Sequence, residues 1–155
     1  MARVFIASLL LCAAGGLIAE EGSVRSGAEL YAAHCIACHQ AGGQGAPGIA
    51  PPLAGNVGRH AASPEGRAYV VRVPLTGMVG SITVDGVRYS GNMPAVAALG
   101  DAEVASVVGH VLRDFNGVAD VSWLTAEFVA AVRKAGGTPN ETYRLRGRLA
   151  AGAGG

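Results

Sequence analysis

Cys35-Ile36-Ala37-Cys38-His39 brings two thiols and an imidazole within five positions. Two thiols one helical turn apart can each bond a vinyl group of a porphyrin. The histidine that follows is then placed beneath the metal. C-x-x-C-H is the attachment pattern of a c-type haem. On that reading the haem and its iron supply the redox chemistry, and the chain supplies the second ligand, the burial and a docking surface. A thioredoxin-like dithiol, half of a structural zinc site and coincidence are the competing readings. A redox dithiol opens a helix after a strand, and no strand pattern precedes Cys35. Structural zinc wants a second ligand pair at similar spacing, whereas His60 and His110 stand alone and far apart. The haem reading is preferred.

Around the motif, 155 residues fit one domain, half of them hydrophobic but only 5% aromatic. An apolar core so poor in rings is aliphatic unless a large flat cofactor fills it. Residues Met1 to about Ala19 read as a secretory signal: Arg3, an apolar run from Val4 to Leu11, then small residues. A retained anchor is disfavoured because the run is short of the roughly 20 residues a span needs. A lipoprotein anchor at Cys12 is disfavoured by Leu11 before it. Export and cleavage are expected, giving a signal over 1–19, a haem domain over 20–117 and an extension over 118–155.

With Arg3 gone, the remaining chain carries 11 cations and 11 anions. They are unevenly spread: from Arg133 onward there are five cations and one anion. That is no general basic field for nucleic acid. The basic tail is expected to be a solvated helix face; the alternative is that it folds onto the acidic body.

Ser26-Gly27-Ala28-Glu29 has the form of a capping box and opens a helix running to the cysteine motif. Gly27, Tyr31 and Cys35 share a face, and glycine there admits a second helix. Residues 41–58, rich in Gly and Pro, form a loop. Ser63-Pro64-Glu65 starts another helix, which Pro74 should kink or end. Asp85-Gly86 between β-branched residues predicts a two-stranded ribbon over 81–89. From Asp101 to Phe115, Val104, Val107, Val108, Val111 and Leu112 trace an amphipathic stripe. His110 is expected on the opposite, solvent face. A further amphipathic segment carries Phe128, Val129 and Val132 up to Gly136-Gly137. Thr138-Pro139-Asn140-Glu141 then caps a basic helix ending near Leu149, and the last residues are expected to fray.

The motif, the loop with Pro51-Pro52-Leu53, the ribbon and the last stripe together resemble a class I cytochrome c. The Thr125–Arg133 segment and the extension resemble the thermophile type of soluble bacterial cytochrome c. The resemblance spans about residues 27–149. It implies an all-α fold around one covalent haem, with a small β-hairpin and a helical C-terminal extension clamped on the core. It also implies that the carbonyl of Pro51 accepts the Nδ1–H of His39, that Leu53 packs on the ring, and that the first and last core helices cross tightly. Met93, on the Ser90–Pro94 stretch after the ribbon, is the expected sixth ligand. Met78 is the rival, and core filling is the alternative for each. His/Met ligation closes the iron to substrates.

The implied role is a periplasmic electron carrier rather than an enzyme. Its donor would be a quinol-oxidising complex or a dehydrogenase, its acceptor a terminal haem–copper oxidase, and its contact with membranes only through such partners. A cytochrome subunit of a sulfite or alcohol dehydrogenase is the runner-up. A gas sensor with an open iron is the third reading.

Overall fold

The computed structural model describes residues 24–152. The expected signal, its cleavage point and Cys12 lie outside the described residues, as do residues 153–155. Among the described residues, six helices and one ribbon follow in order: α1 (Gly27–His34), α2 (Ile36–His39), α3 (Pro64–Thr76), β1 (Met78–Val84), β2 (Val87–Met93), α4 (Asp101–Asp114), α5 (Ala126–Ala135) and α6 (Pro139–Gly152). A short 3-10 turn, Gly58–Ala62, precedes α3.

The caps are those the sequence encodes. The Ser26 hydroxyl accepts from the Glu29 N–H while the Glu29 carboxylate accepts from the Ser26 N–H, both bonds of a capping box. The Ser26 hydroxyl, which also donates to the Glu29 carboxylate, and then the Ser26 N–H hold that carboxyl below its usual range. Thr138 and Glu141 repeat the arrangement at α6, and Ser63 caps α3 ahead of Pro64.

The core forms where α1 crosses α4 and where α3, α5 and α6 close around them. Val104 and Leu112 are fully buried and Val107, Val108 and Val111 nearly so, so the valine stripe is the inner face of α4. Gly27 makes the crossing possible. A Cβ there would fall inside contact distance of the Ser106 carbonyl oxygen and lie 2.7 Å from the His110 Cβ. Tyr31 is buried one turn on, its hydroxyl donating to the Gln40 carbonyl at 2.8 Å and its ring edge-on to Phe115.

The first helix runs to the motif as expected, ending at His34, and Cys35 turns the chain into the single turn of α2. Several other expectations are corrected. Pro74 does not end α3, which continues to Thr76. The Thr76 hydroxyl donates to the Arg72 carbonyl, and the Pro74 carbonyl accepts from the Val96 N–H, so the last turn is held from both sides. The ribbon is longer than expected, pairing Met78 with Met93 at one end and Val84 with Val87 at the other. Its turn is Asp85-Gly86, with φ of 49° and 78°, the positive pair a tight hairpin of the right twist requires.

His110 is not on a solvent face. Its ring packs against Tyr31 and Phe115 and pairs with Asp114, because the α1 crossing covers that side of α4. The basic tail is not simply solvated. Arg133 bonds Asp101 at 2.7 Å and the Leu99 carbonyl at 2.9 Å, Arg146 donates to the Tyr69 hydroxyl at 3.3 Å, and Arg148 faces Glu65 at 3.5 Å. The tail's last helix also extends to Gly152, past Leu149. It binds the ribbon through the Tyr143 hydroxyl, which donates to the Ser81 carbonyl, and binds α3 through Thr76 and the fully buried Thr142.

Candidate haem centre

α2, the loop after it, α3, the ribbon and α4 surround one cleft, with about 1400 Å3 of space including its open mouth. Its walls are mostly apolar. Cys35, Cys38 and His39 come from α2 and its leading turn, and Pro51, Pro52 and Leu53 from the loop. Val70 and Val73 come from α3, Val107, Val108 and Val111 from α4, and Met78, Ile82 and Met93 from the ribbon. Every residue singled out for the site in the sequence therefore reaches one cleft.

The loop positions the imidazole. The Gly45 N–H donates to the His39 carbonyl, and the Leu53 and Ala54 N–H groups both donate to the Gly43 carbonyl. This folds residues 43–54 back over α2 and brings the Pro51 carbonyl 3.0 Å from Nδ1 of His39. A carbonyl can only accept, so Nδ1 carries the hydrogen and Nε2 keeps its lone pair. His39 is 6% exposed. Burial pushes its pKa below the usual range, partly opposed by the bond to Pro51, and the outcome is a neutral imidazole fit to bind a metal.

The competing readings of the motif fare poorly. A thioredoxin-type cysteine has a depressed pKa. Burial, with the neighbouring Cys38 adding to it, instead pushes the Cys35 thiol up to about 11. Helix α1, not a strand, leads into the motif. Among the described residues no three His, Cys, Asp or Glu side chains gather as metal donors, so the structural zinc reading finds no support there. The two thiols remain unbridged and face the cleft.

The donor set fits a flat, apolar, iron-bearing group: two thiols to anchor it, a neutral nitrogen, and two thioethers on the ribbon. The sulfurs differ. The Tyr69 hydroxyl lies 3.8 Å from the Met78 sulfur, a weak hydrogen bond, whereas the Met93 sulfur has no hydrogen-bond partner among the described residues. That difference favours Met93 as the free donor. His60 also lines the cleft, but beside the ring of Tyr69. Its pKa is pushed down to about 4 by burial, with Arg146 and Arg59 adding to it.

Sequence reasoning missed one corner of the cleft. Arg59, His60, Tyr69 and Arg146 meet there from the 3-10 turn, α3 and α6. Arg59 bonds the Asn56 carbonyl and side-chain oxygen, Arg146 bonds Tyr69, and neither pairs with a carboxylate among the described residues. Two cations beside an apolar cleft suit a ligand with acid groups on its rim. No local pattern marks these residues, because Tyr69 and Arg146 are 77 positions apart.

A helical fold of this order, with a single hairpin and one C-x-x-C-H at a buried cleft, defines a monohaem class I c-type cytochrome. The chain belongs to the cytochrome c family, whose model matches residues 24–113. It is similar to a cytochrome c-552 from Thermus thermophilus, 40% identical over 152 residues that cover 96% of this chain and 98% of that one. A second Thermus thermophilus cytochrome c-552 is 40% identical over 126 residues, covering 79% of this chain and 95% of that one. Membership carries a covalent haem c with its iron and a role in electron transfer.

Proposed function

We propose that this cytochrome is an exported single-electron carrier. It would take electrons from a quinol-oxidising complex or a periplasmic dehydrogenase and pass them to a terminal haem–copper oxidase. The observation that carries the reading is the pairing, in one apolar cleft, of a neutral, carbonyl-locked His39 with an unengaged Met93 sulfur. Both axial positions of an iron would then be filled by the chain, which leaves no place for a substrate. The C-terminal extension supports it too, since the relative aligned over 98% of its length is a cytochrome c-552 of the same reach.

In this reading Cys35 and Cys38 anchor the haem through thioether bonds, His39 Nε2 and Met93 Sδ bind its iron, and bound haem supplies reversible one-electron chemistry. Pro51 fixes the tautomer and orientation of His39, and the bond makes the imidazole a stronger donor. Leu53, Val70 and Val107 line the cleft and would keep water from a haem held there, so little solvent would have to reorganise when its charge changes. Arg59 and Arg146 would face the acid groups on the haem rim.

Docking would occur around the cleft mouth, where Ile49 is 72% exposed and Cys38 is also exposed. With 11 cations against 11 anions after loss of Arg3, long-range steering is weak. Stopped-flow electron transfer to a haem–copper oxidase tests this, with a rate that varies little with ionic strength as the expected result. A steep fall with salt would contradict apolar docking. Purification from the native source as a stable complex with a dehydrogenase would transfer the reading to a dedicated subunit.

A further inference from the structure

The ribbon offers two sulfurs where the proposed ligation needs one. Met78 and Met93 are direct cross-strand partners in the β1–β2 register. Partners in an antiparallel pair project to the same face, with Cα atoms roughly 4.5–5.5 Å apart. Both side chains line the cleft. Two positions along the register Gly80 pairs with Gly91; a Cβ on Gly91 would meet nothing within 4 Å, whereas one on Gly80 would lie 2.7 Å from the Tyr143 ring, so the space beside the methionines is open on the Gly91 side. A methionine has three rotatable bonds and a polarisable sulfur, so the two sulfurs sweep overlapping space. What separates them is Tyr69: its hydroxyl is directed at the Met78 sulfur from α3 and is itself tethered by Arg146 of α6.

We propose that Met78 is a reserve axial ligand for the iron. It is restrained by the Tyr69 hydroxyl while Met93 is bound, and takes the sixth position when the Met93 sulfur leaves. The exchange breaks one iron–sulfur bond and forms another. No electron is transferred, no proton leaves the protein, and the Tyr69 O–H gives up its thioether acceptor while its oxygen keeps the bond from Arg146. This inference rests on Met93 being the primary sulfur ligand, as proposed above. Its consequence is an iron that stays closed to small gases after the primary sulfur is lost, for example on oxidation of Met93 to its sulfoxide.

The test uses the mature holoprotein and four forms: wild type, Met93→Ala, Met78→Leu and the double variant, with Met93→Leu as a volume-preserving substitute should the alanine form fail to fold. Two readouts serve: the sulfur-to-iron charge-transfer band of the ferric protein and carbon monoxide binding to the ferrous protein. Met93→Ala is expected to keep a thioether band, and only the double variant to lose it. Occupation of the iron by Met78 nine times in ten would make carbon monoxide bind about tenfold more weakly to Met93→Ala than to the double variant. Adding Tyr69→Phe to Met93→Ala should strengthen the band by releasing Met78. Loss of the band in Met93→Ala, with carbon monoxide affinity equal to that of the double variant, overturns the reserve role and leaves the Met93 assignment standing. Loss of the band in Met78→Leu alone overturns both.

Discussion

The two walls that would supply the iron's axial ligands are built differently. The wall carrying His39 rests on the α1–α4 crossing, where Leu30, Tyr31, Val104 and Leu112 are almost wholly buried, and the imidazole is fixed by a second bond to Pro51. The wall carrying Met93 is a two-stranded ribbon. Most of β2 is exposed, Met93 is its last residue, and its sulfur has no hydrogen-bond partner among the described residues to fix it. The imidazole is placed by the core; the thioether is held at the end of a ribbon that α6 braces. An isolated two-stranded hairpin is marginal in water, so α6 is what makes the second wall dependable. The C-terminal extension thus serves the site, although it lies far from it in sequence.

The sharpest way to break this comparison is at the crossing. Gly27→Ala forces a methyl group into the Ser106 backbone, which cannot yield as a flexible side chain would. The expected loss is about 2–3 kcal/mol of unfolding free energy by chemical denaturation. A loss under about 0.5 kcal/mol would show that the helical wall is more pliant than its packing implies.

The seam between the walls gives a smaller, pH-dependent effect. His60 has its folded pKa lowered to about 4 by burial and by Arg146 and Arg59, against about 6.5 in the unfolded chain. Below about 6.5 the unfolded chain takes up a proton that the folded chain refuses, so stability falls as pH drops towards 4. Because part of the ring reaches solvent, the loss is on the order of 1 kcal/mol. Denaturation midpoints for the wild type and His60→Gln between pH 7 and pH 4 should diverge by that amount, the variant having the flatter profile.

Two substitutions in α6 sharpen the comparison further. Tyr143→Phe removes the bond to the Ser81 carbonyl and should cost about 1 kcal/mol, with faster hydrogen exchange confined to the ribbon. Arg148→Ala breaks a 3.5 Å ion pair whose two side chains are 64% and 56% exposed, and should cost less than about 0.5 kcal/mol. An effect of Arg148→Ala as large as that of Tyr143→Phe would mean that charge, rather than the tyrosine anchor, fastens the extension.

What could be read from the sequence follows the same division. The crossing was legible because each part is local: a capping box at Ser26, a glycine at Gly27, and a valine stripe with helical period from Val104. The cysteine motif and the Asp85-Gly86 turn were legible for the same reason. The true ends of the ribbon were not, because Met78 and Met93 pair through a register that no short segment encodes. Nor was the corner of Arg59, His60, Tyr69 and Arg146, which exists only once α6 returns to α3. His110 was misplaced because period alone gives a helix an inside and an outside, while α4 has two covered sides. Pro74 does not stop α3 where it stands, because the Thr76 hydroxyl bonds the Arg72 carbonyl and steadies the two residues beyond it.

The central claim is a haem bonded to this chain through Cys35 and Cys38, and mass spectrometry of the denatured protein tests it most directly. Expressed with its maturation machinery, the wild type should carry the mass of one haem that survives denaturation and acid extraction, and Cys35→Ala/Cys38→Ala should carry none. A wild-type chain at its bare polypeptide mass, or one whose porphyrin extracts freely, would contradict the account.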